Sequence, residues 1–277
     1  MAYTARLHLS LHHALLPPAY RRLALPAVFR RLSCFSSTSQ FFSHSSKLRP
    51  PSTLVYAQAK RGFSAKEDDA ALSADLEFEA PLKIVEYPDP ILRAKNKRID
   101  SFDDNLKKLV HEMFDVMYKT DGIGLSAPQV GVNVQLMVFN PVGERGEGEE
   151  IVLVNPRVFR YSKKTVLFNE GCLSFPRIYA DVERPESVKI DARDISGTRF
   201  MVNLSGLPAR VFQHEFDHLQ GILFFDRMTD EVLDTIRAQL QALEKKYEER
   251  TGLPSPERIE NFRTKKKVAA GYGFGKS

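Results

Sequence analysis

Pro208-Ala209-Arg210-Val211-Phe212-Gln213-His214-Glu215-Phe216-Asp217-His218-Leu219-Gln220 reads as one helix, with Pro208 suited to its first turn and Gly221 to the position just beyond its end. His214 and His218 stand four residues apart, so on a helix they share one face and can grip a single metal ion. Glu215 lies about 100° further round the helix and can reach the open side of such an ion. A lone histidine on an apolar face is usually a satisfied core residue. Two at this spacing, with a glutamate between them, point to metal.

The segments ahead of this helix read mainly as strands and turns. β-rich runs at 134–139 and 151–154 flank the polar stretch 143–150, which predicts a hairpin with a long loop. Further strands are expected at 157–168, 178–183, 187–191 and 198–204, with Ser196-Gly197 at a tight turn. Earlier still, 81–88 reads as a short extended segment, and Pro88-Asp89-Pro90 forbid helix there. Ser101 is placed to cap a helix whose Leu106, Leu109, Val110, Met113, Phe114 and Met117 follow the 3.6-residue period, ending at Asp121-Gly122. A last helix runs from its cap Thr229 to about residue 250, with Val232, Leu233, Ile236, Leu240, Leu243 and Tyr247 in one stripe. Strands in the middle and helices at the edges, without βαβ alternation, predict an α+β domain. Antiparallel sheets pack around a central helix carrying the His-Glu-x-x-His motif, and a C-terminal amphipathic helix follows.

The formal charge of +5 over 277 residues is localised. Residues 1–66 hold ten Lys or Arg and no Asp or Glu, which leaves −5 for the remainder and argues against a nucleic-acid surface as the main business of the fold. Arg6, Arg21, Arg22, Arg30 and Arg31 among short apolar stretches, then the serine-rich run 33–46, have the composition of an organellar transit peptide. The change to Glu67-Asp68-Asp69 marks a processing boundary. The expected plan is a disordered, removed leader over 1–66, a linker over 67–80, a catalytic domain over 81–250 and a flexible basic tail over 251–277 containing Lys265-Lys266-Lys267. No apolar run approaches the roughly 18 residues that a membrane-spanning helix needs. Cys34 lies in the leader, so Cys172 alone remains after processing, available as a ligand, a nucleophile or a small buried apolar residue.

Two histidines leave a catalytic metal one protein ligand short, since such sites carry three and keep the fourth position for water. In the large zinc protease class the third would be a Glu or His downstream, where the nearby carboxylates sit on the last helix without distinguishing context. Upstream, Glu170-Gly171-Cys172-Leu173-Ser174 offers the one mature cysteine beside a glycine that lets the backbone pass close to a ligand, and Cys172 is the better candidate. Gly122-Ile123-Gly124-Leu125-Ser126-Ala127-Pro128-Gln129 invites a phosphate-loop reading, but no Gly-Lys-Ser/Thr follows it. Its glycines suit the close approach of another chain, such as a peptide substrate.

Taken together and in order, 122–129, 170–174 and 214–218 resemble the three signature motifs of peptide deformylases, across roughly residues 80–250. The leader resembles that of the plant organellar, bacterial-like type, from chloroplast or mitochondrion. The resemblance implies hydrolysis of the N-formyl group from the formyl-methionine that starts newly made organellar proteins, releasing formate. It implies a divalent ion held by Cys172, His214 and His218, with Glu215 as the acid and base. It further implies the Gln129 amide and the Leu173 backbone N–H as donors to the developing oxyanion. Gly124 and Gly171 would present backbone to an extended substrate strand, and Ile123 and Leu207 would line the methionine pocket, although both residue types equally suit plain core. Asp217 is expected to pair with Arg184 behind the ligands. Fe2+ is the ion the resemblance implies, while one sulfur and two nitrogens suit Zn2+ by ordinary preference.

The implied compartment is the chloroplast stroma, with the mitochondrion as a second address. The implied partners are formyl-Met nascent peptides and, transiently, the organellar ribosome, with no membrane and no sequence-specific nucleic acid. Ser126 stands where many members have Ala, and Tyr179 where bacterial relatives commonly carry Arg, so contacts at the pocket rim are expected to differ. Two alternatives stay open. A zinc endopeptidase would leave Cys172 and Gln129 without a role. A non-catalytic, metal-stabilised organellar binding protein would need a closed fourth ligand and no use for Glu215.

Overall fold

The computed structural model describes residues 70–262, all within the unit Gly62–Ser277. The leader, Cys34 and Lys265-Lys266-Lys267 lie outside the described residues. Helix α1 spans Asp104–Lys119 and buries Leu106, Leu109, Val110, Met113, Phe114 and Met117, the face its period predicts. Its cap is Asp103 and not Ser101: the carboxylate accepts the backbone N–H groups of Asn105 and Leu106 at 3.0 and 3.1 Å. An aspartate there also complements the positive end of the helix dipole. Pro90 likewise opens a short 3-10 turn, Pro90–Arg93, capped by the Asp89 side chain. Proline at a first helical position lacks only a donor that would be unused, so the sequence rule excludes helix before Pro90 and not after it.

Five strands form the larger sheet: β1 Gly124–Ser126, β2 Leu136–Phe139, β3 Ile151–Tyr161, β6 Ser187–Arg193 and β7 Arg199–Ser205. Their order is β1-β2-β3-β6-β7, antiparallel throughout. Strands β4 Thr165–Cys172 and β5 Phe175–Pro185 pair as a separate hairpin. The expected strands at 151–154 and 157–168 are partitioned differently. β3 continues through Asn155 and Pro156 with a shift in register, and the chain turns at 162–164 before β4 begins. The irregularity is anchored: Asn155, at φ +50°, exchanges two amide hydrogen bonds with the Ile99 backbone.

Helix α2, Gly206–Leu219, lies against one face of the larger sheet, where Ala209, Val211 and Phe212 pack with Met137, Phe139 and Ile190. α1 covers the opposite face at Leu136, Val138 and Val154, so β2 is buried on both sides, as its unbroken apolar run requires. Helix α3, Asp230–Thr251, is capped by Thr229 and packs Leu233, Ile236 and Leu240 on the cluster around Phe175, Phe224 and Phe225. Glu244 interrupts that stripe, buried and accepting hydrogen bonds from the Tyr87 hydroxyl and the Ile259 N–H. This is the expected α+β architecture with antiparallel sheets.

Two expected boundaries need correction. The linker 67–80 is packed over its described part, because Leu76 is buried in the α1 core and Asp75 pairs with Lys97. The flexible tail expected from 251 is not seen through residue 262: Ile259 is buried and the Phe262 ring meets Phe225 edge-on at 5.4 Å. Neither apolar anchor has periodicity around it to announce it. No helix among the described residues is long and apolar enough to cross a membrane.

Candidate functional site

Cys172 closes β4 where the hairpin register shifts, and this brings its sulfur over α2. Its Sγ lies 3.2 Å from His218 Nε2, and the ligand atoms of Cys172, His214 and His218 all fall within 4.8 Å of one another. His214 turns Nδ1 toward the Glu170 carboxylate at 3.0 Å, which directs its other ring nitrogen to the sulfur side. One sulfur and two imidazole nitrogens, converging on a buried point, fit a divalent transition ion.

The electrostatics agree with that fit. Burial opposes charge on His214, but Cys172, Glu170 and Glu215 around it outweigh burial and raise its pKa well above the ordinary value. Acidic groups clustered in this way call for a positive charge among them, and a dication supplies one. His218 is driven the other way, chiefly by burial and then by His214, into the neutral form that a ligand needs.

Glu215 is buried, and burial pushes its carboxyl up to about 7 against the opposing pull of His214. Its Oε2 has no hydrogen-bond partner among the described residues. Gln129 sits in the 3-10 turn Ala127–Val130 with its Oε1 accepting both the Ser126 N–H and the Ser126 hydroxyl at 2.8 Å. That fixes the amide so its NH2 faces the Cys172 sulfur at 3.5 Å.

A cleft lined by Ile123, Gly124, Gly171, Leu173, His214 and Glu215 opens beside the sulfur, and an apolar pocket bordered by Ile123, Leu207 and Val211 adjoins it. All four expected substrate-side residues, Ile123, Gly124, Gly171 and Leu207, therefore come together, with Leu207 partly exposed at the rim. The glycines have a local reason as well. A Cβ on Gly124 would sit 2.6 Å from Val211 Cγ1 and 2.8 Å from Glu215 Oε1, and one on Gly171 would sit 2.5 Å from the Tyr179 ring.

Arg184 does pair with Asp217, at 2.8 Å, but it also grips Glu170 through Nε and Nη2 at 2.7 and 3.0 Å. Arg210 and Arg227 complete the cluster, on Glu170 and Asp217 respectively. Burial alone would raise the Glu170 carboxyl; the His214 and Arg184 hydrogen bonds overturn this and hold it at about 2. Glu170, Arg210 and Arg227 were not among the residues expected from sequence. The signal for Glu170 was its place two residues before Cys172, on the same face of a strand.

A sequence profile described as Polypeptide deformylase matches residues 81–233. Peptide deformylase 1B, chloroplastic, of Solanum lycopersicum is 72% identical over 244 residues, covering 87% of this chain and 86% of its own. Peptide deformylase 1B, chloroplastic/mitochondrial, of Arabidopsis thaliana is 65% identical over 266 residues, covering 94% and 96%. Among solved structures, a plant peptide deformylase is 78% identical with a TM-score of 0.65, covering 66% of this chain and 99% of its own. The Plasmodium falciparum enzyme is 46% identical with a TM-score of 0.59, covering 60% and 97%. With more than half its length matched by the profile, and with such identity across nearly the whole of its relatives, this chain belongs to the polypeptide deformylase family.

Proposed function

We propose that the cluster built on Cys172, His214 and His218 holds one divalent ion and that Glu215 moves the proton as the N-formyl group is hydrolysed from nascent formyl-methionine peptides. The observation that carries this is the convergence of one sulfur and two imidazoles beside a buried carboxylate oxygen without a partner. When bound, the ion supplies Lewis acidity and a lowered water pKa. Glu215 accepts the proton of the attacking water at Oε and returns it to the departing amine nitrogen. Burial lifts this carboxyl, to about 7 before any ion is bound, which favours its taking and returning a proton near neutral pH. The Gln129 amide and the Leu173 backbone N–H donate to the formyl oxygen as charge develops on it, each worth about 10²-fold or more in rate. The methionine side chain enters the apolar pocket at Ile123 and Leu207, and the peptide lies as an extra strand against Gly124 and Gly171. Arg184, Asp217 and Glu170 hold the ligands in place.

Fe2+ is our choice of ion on the family resemblance, with Zn2+ acceptable to the same donors. The names of the tomato and Arabidopsis relatives, together with the basic, serine-rich leader, support the chloroplast stroma with the mitochondrion as a second address. The leader 1–66 is removed there, and the enzyme meets its substrate in transient contact with the organellar ribosome. Incubation with formyl-Met-Ala-Ser should release formate, and the unblocked peptide should stay intact. Internal cleavage of unblocked peptides, or no formate, overturns the proposal. Metal analysis of protein purified without oxygen decides between the ions: full activity with zinc alone overturns the iron assignment.

A further inference from the structure

On the side of the larger sheet away from α2, strands β3, β6 and β7 run past the reach of α1 and face outward. Alternation along β6 and β7 puts Lys189, Asp191, Arg193, Arg199 and Met201 on that face, and the register sets Arg157 opposite Asp191. We propose that this face is a docking surface for RNA, recognised through its backbone phosphates and a stacked base and not through its sequence.

Residues 70–262 carry a formal charge of −7, yet four arginines, Arg98, Arg157, Arg193 and Arg199, line one pocket here with a single acid, Asp191. Asp191 is engaged by Arg199 through two hydrogen bonds at 2.7 and 2.6 Å, and Asp100 lies on Arg98. Arg193 directs its guanidinium to the Gly197 carbonyl oxygen and the Phe102 ring. Cross-strand pairing nevertheless places Arg193 directly opposite Arg199, an arrangement of like charges that destabilises a sheet. Each has a partner within the chain, yet two guanidinium forks side by side also suit phosphate oxygens.

A ring at the edge of the patch points the same way. Phe159 is 69% exposed, and the Lys189 ammonium sits 5.2 Å from its centroid. An exposed aromatic on a sheet beside cationic side chains is how proteins stack unpaired bases without reading them. A bilayer is the weaker occupant, because a single exposed ring gives little apolar surface to insert. Because α2 carries His214 on the other side of the sheet, RNA bound here leaves the cleft open to a peptide. The biological rationale, though not the binding itself, rests on the nascent-chain substrate proposed above.

The test uses the full chain and a fluorescein-labelled, unstructured 12-nucleotide RNA, followed by anisotropy across a salt series. Arg157→Gln with Lys189→Gln should lower the slope of log affinity against log salt by about 1.4, two phosphate contacts at about 0.7 each. Phe159→Ala should weaken binding about fivefold or more. Ultraviolet crosslinking of the unaltered chain should map to peptides of β3. Formate release from formyl-Met-Ala-Ser should be unchanged in each variant, which reports a folded site. Affinity and salt slope identical to the unaltered chain, with crosslinks confined to the basic termini, overturn the proposal. So does binding to phosphatidylglycerol vesicles that is lost in the same variants while RNA is ignored.

Discussion

Replacing Glu170 with glutamine removes one charge and almost no volume from the point where β4 meets α2. The carboxylate accepts from His214 Nδ1 at 3.0 Å, from Arg184 at 2.7 and 3.0 Å, and from Arg210. Two estimates of the cost agree. Holding the carboxyl at about 2, against an ordinary 4.5, corresponds to about 3 kcal/mol of native-state stabilisation. Stripping one partner from a buried ion pair typically costs about 3–5 kcal/mol. Because the folded pKa is the lower one, this stabilisation is fully present above about 4.5 and is lost as pH falls toward 2. Urea unfolding of metal-free protein should therefore show Glu170→Gln less stable by about 3 kcal/mol at pH 7, with the gap closing between about 4.5 and 2. Metal affinity should fall about 10- to 100-fold, because His214 loses the charged acceptor that orients it and raises its basicity. A gap below 1 kcal/mol, or one that does not change across that pH window, would refute the argument that this carboxylate is the anchor.

Glu215→Gln should retain metal content and lower formate release by at least about 10²-fold. The acid limb of kcat/KM should lie at or below pH 7, since burial lifts the carboxyl to about 7 and a neighbouring dication can only pull it down; a limb above 7.5 would contradict the assignment. Gly124→Ala forces a methyl against Val211 and Glu215, and should cost about 1–3 kcal/mol of unfolding free energy measured by urea titration while lowering kcat more than it raises KM. Gln129→Leu should cost about 10²-fold or more in kcat, measured by formate release. Thermal unfolding with ion at 100 times its Kd should show about 2.7 kcal/mol of added stability, abolished by a chelator.

The ligand helix and the order of its neighbours were legible because both rest on local pattern: two histidines at helical spacing, a proline at one end and a glycine at the other. Gln129 and Leu173 could be placed only through motif resemblance, since nothing local separates a loop amide beside a sulfur from any other glutamine. Boundaries slipped where a side chain decided them over long range. Asn155 holds β3 continuous through its bonds to Ile99, 56 positions away, and Ile259 folds back onto Glu244 of α3. Glu170 was hidden for a similar reason: its partners Arg184, Arg210 and His214 lie 14, 40 and 44 positions on. Hydrophobic periodicity identifies buried faces but cannot say which charged residues will be drawn into them.

The arrangement of charge fits proposed ligands that come from two elements. Cys172 and Glu170 ride on β4, while His214, Asp217 and His218 ride on α2, so the distance between strand and helix sets the size of the proposed metal site. Arg184, on β5, spans that gap, with two donors on Glu170 and one on Asp217, at about 5% side-chain exposure. A lysine could satisfy one carboxylate but not hold both at a fixed separation, because its ammonium is a point charge without the planar fork. A pair that served stability alone could be exchanged for well-packed apolar residues at little loss. A pair that sets ligand spacing cannot, and its replacement by Met or Leu should therefore leave a folded chain with a loosened site.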